Sequence, residues 1–263
     1  MIRRIVSIIV AVAAIQIAAT AQQFDIYLLI GQSNMAGRGI IEPADTAASI
    51  DGVWLLNDNG RPETARTPLN RYSTIRKELS LQGICPGEEF GRRMHARDGR
   101  QILLVVNARG GSHIAQWQPG AADGYFGEAL TRVRQALPYG TLKAILWNQG
   151  ETDVQRHTPD YVEQFGTMVR ALRDSIGAGC VPVVMSQVGR WRWAPQADIA
   201  AFNDSVVPTA AQTVEKCGYI DSRGLERRFE RKERDPHYSR TSQFEIGRRY
   251  AAALDSLRSS TGL

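Results

Sequence analysis

The chain of 263 residues contains only three cysteines and four histidines. No CxxC or HExxH spacing occurs among them, so a zinc framework and metal catalysis are disfavoured. Cys85, Cys180 and Cys217 lie far apart. In an oxidising compartment Cys180 can pair with Cys217 and leave Cys85 over, or all three can stay as thiols; spacing alone leaves both open. The GxSxG of the α/β-hydrolase nucleophile elbow is missing. So are GxxxxGK[ST] and any GxGxxG after a strand, which leaves nucleotide binding without support. No Ser/Pro/Gly linker, repeat or low-complexity tract divides the chain. No cofactor or metal is expected.

One long apolar stretch opens the chain. Arg3 and Arg4 precede an apolar run from Ile5 to Ala19, and Ala19-Thr20-Ala21 supplies a small-x-small site. This reads as a signal peptide, residues 1–21, cleaved after Ala21, because the run falls short of the roughly 20 residues a spanning helix needs. A retained membrane anchor is the alternative. The expected product, 22–263, is a single secreted or periplasmic domain with no membrane contact after cleavage. The net charge of the full chain, +5, falls by two when Arg3 and Arg4 leave. The densest charged run, RRFERKER at 227 to 234, alternates in sign and reads as a solvated face, so no nucleic-acid partner is expected. Oligomeric state is left open.

Short apolar runs recur as FDIYLLI (24 to 30), VWLLN (53 to 57), QILLVVN (101 to 107), KAILW (143 to 147) and VPVVMSQ (181 to 187). They read as buried strands. Between them lie helical stripes: Leu130, Val133 and Leu137, then Val162, Phe165, Val169, Leu172 and Ile176. The second helix is expected to start with Thr158 as N-cap and Pro159 at its first position. A last helix is expected from about Ser242 to Leu257. Alternating strands and helices imply an α/β fold, a three-layer α/β/α sandwich on a mostly parallel, flavodoxin-like sheet. Segments 58 to 84 and 188 to 235 are less regular.

Ligands of such folds sit beyond the carboxyl ends of the strands. Three polar, glycine-bearing loops fall there: GQSNMAGRG after the first strand, GGSHIAQW after the third, NQGETD after the fourth. Ser33 in the first can attack a carbonyl if a base takes its proton and donors meet the oxyanion. Candidate donors are the backbone N–H of Ser33, one at Gly110 or Gly111, and the side-chain amide of Gln149, which can equally be a buried loop tie. His95 falls at helical spacing on a surface or packing position, while His113 and His157 lie in loops near the site. His237, in an irregular polar loop before the last helix, has the best context for the base. Gln32 and Asn34, beside Ser33, are candidate substrate contacts. Trp117, Trp191 and Trp193 can stack on sugar rings or serve as packing.

GQSNMAGRG, GGS followed by QW, NQGETD and HYSRTSQFEIGRRYA, in this order, resemble the SGNH hydrolases. The resemblance is greatest to the branch with carbohydrate esterase family 6 acetylxylan esterases and sialate O-acetylesterases. It implies Ser33 as nucleophile, His237 as base and the oxyanion donors named above. SGNH enzymes often place the orienting aspartate three residues before the histidine. Here that position is Arg234, and Asp235 stands two before; the glutamate of QGE, Glu151, is the other candidate acid. The expected activity is hydrolysis of O-acetyl groups from sugars, with acetylated xylan or a related plant polysaccharide as first substrate and sialate esters as second. A non-catalytic carbohydrate-binding protein on an esterase fold is the alternative of another class.

Overall fold

The computed structural model describes residues 23–259 except 77, 230, 231 and 233. The expected signal peptide lies outside the described residues. Seven strands form one sheet: β1 (Phe24–Gly31), β2 (Val53–Leu56), β3 (Pro62–Thr64), β4 (Ile102–Ala108), β5 (Gly140–Asn148), β6 (Val183–Ser186) and β7 (Cys217–Ile220). Their order is β3-β2-β4-β1-β5-β6-β7, and only β3 runs antiparallel. β1 occupies the centre between β4 and β5. The chain lays β2 and β3 on one side, returns to place β4 beside β1, then crosses to the other side with β5, which opens a crevice at the carboxyl end of β1.

The helices are α1 (Ser33–Ala36), α2 (Pro43–Ala47), α3 (Gly87–Asp98), α4 (Tyr125–Ala136), α5 (Glu151–Arg156), α6 (Tyr161–Ile176), α7 (Gln196–Ala201), α8 (Val207–Thr213) and α9 (Arg240–Ser259). A π-helical segment, Phe202–Val206, joins α7 to α8. Two hydrophobic cores lie on opposite faces of the sheet. Ile26, Leu28 and Ile30 of β1 pack with Val133 of α4, Phe165 and Leu172 of α6 and Val207 of α8. Tyr27 and Leu29 point the other way, to Phe90 and Met94 of α3 and Ile246, Tyr250 and Leu254 of α9. Both faces are covered, so β1 is apolar at nearly every position instead of alternating. Each such leucine taken from water contributes about 1.5–3 kcal/mol. The expected sandwich is present, and the five expected strands appear with small shifts at their ends.

Three features depart from the sequence expectations. β3 and β7 come from the segments read as irregular, and the α6 cap lies elsewhere. Thr158 does not cap α6, whose first helical residue is Tyr161 after Asp160. Its hydroxyl and its backbone N–H both donate to Asp153, at 2.7 Å to Oδ1 and 3.2 Å to the carbonyl, so Thr158 closes the end of α5. The cysteines are unbridged: Cys85 is buried, Cys217 partly so and Cys180 exposed. Among the described residues no helix is long and apolar enough to cross a membrane.

The sheet is tightly packed where β1 ends. Gly31 has φ +132°, and a Cβ built on it would fall 2.1 Å from the carbonyl oxygen of Asn148 on β5. Overlap with backbone cannot be relieved by rotating a side chain, and a positive φ adds its own strain for an L-residue. Gly31→Ala is therefore expected to lose more than about 3 kcal/mol of stability in thermal or denaturant unfolding. A variant melting within about 2 °C of the native protein would show that the strand end yields freely.

Candidate active site

Gly31 lets the chain leave β1 and turn at once. Gln32 donates its backbone N–H to Asn148 at 2.8 Å, and its carbonyl accepts from Met35 and Ala36 at 3.0 and 2.9 Å. This fixes the short helix α1 with Ser33 as its first residue. Opposite lies the loop between β7 and α9. His237 Nε2 accepts the Ser33 hydroxyl at 3.0 Å, and His237 Nδ1–H donates to Asp235 Oδ1 at 2.5 Å. The backbone N–H of His237 donates to the same oxygen at 3.1 Å. An aspartate bonding the backbone two residues on is an Asx turn, and Pro236 at its middle presets the bend. That turn brings Asp235 to the ring although it stands one residue nearer than the usual spacing.

A neutral imidazole held in this tautomer can take the serine proton, and the carboxylate stabilises the imidazolium that forms. Burial lowers the pKa of His237 below its usual 6.5, while Asp235 raises it and Arg38 and Arg228 add to the lowering. The ring is thus ready as a base in near-neutral solution.

Glu151 does not reach the histidine. Its Oε1 accepts from Asn34 Nδ2 at 2.5 Å, and burial pushes its pKa to about 7. Asn34 is itself buried and also donates to the carbonyl of Pro236 at 3.2 Å, while its Oδ1 accepts the N–H of Tyr238 at 3.3 Å. One amide therefore grips the backbone on both sides of His237, and Glu151 holds that amide. Asn34 is committed to this task and is not a substrate contact. The side-chain oxygen of Gln32 is likewise engaged: Oε1 accepts from Gln149 at 3.1 Å and from the N–H groups of Gly150 and Thr152 at the start of α5 at 3.3 and 3.4 Å.

Gln149 is corrected as well. Its Nε2 donates to Gln32 Oε1, to the Ser112 carbonyl at 3.1 Å and to Asp153 Oδ2. Two amide hydrogens already shared among three acceptors leave none for an oxyanion. Asp153, unremarked in the sequence, is the hub: it also accepts from Ile114 N–H at 3.0 Å and so ties the third loop to α5. Of the two glycines, Gly110 packs on the serine, where an added Cβ would sit 3.5 Å from Ser33 Cβ. Gly111 is exposed and faces nothing within 4 Å. The donors that remain against Ser33 are its own N–H and the backbone at Gly110.

Trp117 and Trp193 are buried in the core, and their indole N–H groups bond Ser112 Oγ and the Gly189 carbonyl at 3.0 and 2.7 Å. Trp117 is thus packing, not a sugar platform. Trp191 is half-buried, stacks edge-on against Tyr238 and donates to the carbonyl of Asp235 at 2.6 Å, which supports the aspartate's turn. His113 begins a 3-10 turn at Ile114–Trp117, His157 ends α5 with φ 50°, and His95 bonds the carbonyl of Arg100 at 2.8 Å on the surface. Among the described residues, no three His, Cys, Asp or Glu side chains are grouped to hold a metal ion.

Because Glu151 stays protonated in the folded protein up to about pH 7 but ionises near 4.3 when unfolded, the folded state binds the extra proton between these values. Stability from this group is lost as pH rises through that window. Glu151→Gln keeps the shape and removes the titration. Relative to the native protein, the variant is expected to gain up to about 3 kcal/mol on going from pH 4 to pH 8. Parallel stability curves for the two proteins would refute a neutral Glu151.

The model for carbohydrate esterase, sialic acid-specific acetylesterase matches residues 23–256. A probable carbohydrate esterase of Arabidopsis thaliana is 28% identical over 180 residues, or 60% of this chain and 66% of that protein, just under two thirds of its length. The X-ray structure of the protein from the same Arabidopsis locus has a TM-score of 0.74 at 23% identity, covering 89% of this chain and 98% of that one. A carbohydrate acetylesterase from Xanthomonas citri has a TM-score of 0.63 at 20% identity, over 90% of this chain and 57% of that one. The two structures share the fold. By the match over almost all its described residues, the chain belongs to the carbohydrate esterase, sialic acid-specific acetylesterase family.

Proposed function

We propose that the protein is a serine esterase that removes O-acetyl groups from carbohydrate, exported by residues 1–21. The observation that carries this reading is the unbroken hydrogen-bonded line from Asp235 through His237 to Ser33. Ser33 Oγ attacks the acetyl carbonyl as His237 Nε2 takes its proton, and the oxyanion is met by the Ser33 N–H and the backbone at Gly110. The imidazolium then gives its proton to the sugar oxygen, which leaves as the alcohol. Water, deprotonated by the same ring, attacks the acetyl-serine and releases acetate. Asp235 keeps the ring in its tautomer throughout. No step calls for a metal or organic cofactor.

The proposed substrate is an O-acetylated plant cell-wall polysaccharide such as acetylated xylan. Sialate esters are the second reading, favoured by the description of the family itself. Rates on acetylated xylan, acetylated sialic acid and an acetylated cephalosporin rank the two, and a preference for sialic acid would replace the first.

Ser33→Ala is expected to lower kcat on 4-nitrophenyl acetate by several orders of magnitude without a change in melting temperature. Undiminished turnover in that variant would end the serine mechanism, and no Ser33-dependent turnover in the native protein would favour a carbohydrate-binding role. Asp235→Asn leaves shape but removes the charge on the ring, and is expected to cost about 10³–10⁴-fold in kcat. A loss under about tenfold would mean that Ser33 and His237 act as a pair without the acid. Both variants use the same assay. The acid limb of kcat/KM is expected to have its midpoint below pH 6.5, from the lowered pKa of the ring.

A further inference from the structure

Arg38 stands five residues after Ser33 in the same loop, and neither the line of hydrogen bonds nor the acyl chemistry uses it. Its backbone is clamped. Arg38 and Gly39 donate their N–H groups to the carbonyl of Ile84 at 3.1 and 3.0 Å, Gly83 donates to Gly37 at 3.1 Å and Ile84 to Gly39 at 2.9 Å. From this clamp the side chain folds back, and Nη1 donates to the carbonyl of Gly37 at 2.6 Å. Nη2 lies against Gly110: a Cβ built on that glycine would sit 2.7 Å from Arg38 Nη2 and 3.5 Å from Ser33 Cβ. Those two distances to one point place the guanidinium and the serine side chain on the same side of Gly110.

Among the described residues no carboxylate forms an ion pair with Arg38. The carboxylate that acts on it electrostatically is Asp235, already engaged by His237, while Arg228 opposes it, and burial lowers its pKa to about 10. A half-buried cation whose hydrogen bond goes to a backbone carbonyl, with no carboxylate paired to it among the described residues, costs stability, and structural packing alone does not call for one. We propose that Arg38 is a positioning residue for acyl transfer: its guanidinium props the Gly110 backbone against Ser33 and places a fixed positive charge beside the carbonyl oxygen that becomes negative. This rests on the esterase reading. The charge meets the oxyanion where neutral backbone donors already point. It also opposes protonation of His237, whose charged surroundings are Asp235 and Arg228 on its own loop and Arg38 from the first loop.

Two measurements test this. The pH profile of kcat/KM on 4-nitrophenyl acetate is expected to keep its acid limb in Arg38→Lys and to move it to higher pH by about half a pH unit in Arg38→Gln, with kcat about tenfold lower and KM little changed. An unmoved limb in Arg38→Gln overturns the electrostatic role. A double-mutant cycle covers the contact: Gly110→Ala should cost much activity in the native background and several-fold less in Arg38→Gln, where the clashing group is gone. Additive losses overturn the propping role. If Arg38→Gln does not fold, Arg38→Lys decides, since an ammonium keeps charge but not the flat contact: a lowered plateau upholds the proposal and a native plateau overturns it. Should the native protein show no Ser33-dependent turnover, the esterase reading fails. NMR titration of the His237 ring in native and Arg38→Gln protein would still test the charge, and an unshifted titration overturns it.

Discussion

A single buried amide holds the two ends of the chain in register. Asn34 follows the serine on the first loop, yet its side chain bonds Glu151 on α5 and the backbone of Pro236 and Tyr238 on the last loop. That bridge is the hydrogen-bonded tie by which the serine's loop orients the segment 236–238, beside the catalytic contact itself. A hydrogen bond in such a low-dielectric place gains strength, and an orphaned partner there costs the full desolvation of the group. Asn34 is thus the tie between the histidine's segment and the serine's loop, while the Asx turn of Asp235, held by Trp191, and the N–H of Arg228 on the His237 carbonyl fix that segment from its own side.

A second tier of amides and carboxyls supports this one. Gln32 caps the start of α5 with its side-chain oxygen, Gln149 joins Gln32 to Ser112, and Asp153 joins Gln149 to Ile114 and Thr158. Each polar loop after β1, β4 and β5 is thereby tied to the other two, and the sheet beneath fixes where all three start. Loops that carry reacting groups are otherwise the mobile parts of a fold. Here many of their polar side chains hold one another, so the serine stands on a fixed base opposite the imidazole.

What could be read from the sequence follows from the range of the forces. The β-branched runs of β1, β4 and β5 declare themselves because both faces of those strands are buried. β3 and β7 are three and four residues long, with Pro62 and Gly218 among them, and owe their strand form to neighbours in the sheet that no local pattern shows. Ser33 and His237 were legible from motif and from the scarcity of histidine. The choice between Asp235 and Glu151 was not, because it turns on the bend at Pro236. Gln149 and Asn34 have the right chemistry for substrate or oxyanion, and only the structure reveals that their amide hydrogens are engaged, while for Gln32 it shows the same of the side-chain oxygen. Arg38 carried no periodic or spacing signal, since its role comes from a glycine 72 positions away.

The separation of Ser33 from His237 by 204 positions has a bearing on how the molecule is made. The serine's strand is the first described element and the histidine's loop the last before α9, so the contact spans nearly the whole described sequence. Such long closures form late, after the parallel sheet between them has been assembled. A ribosome-bound or clipped chain that stops before residue 237 thus carries a complete first loop but lacks the imidazole that faces it. The pairing of serine and imidazole is in that sense a record of how far the chain has been built, present in no fragment that stops short of the loop before α9.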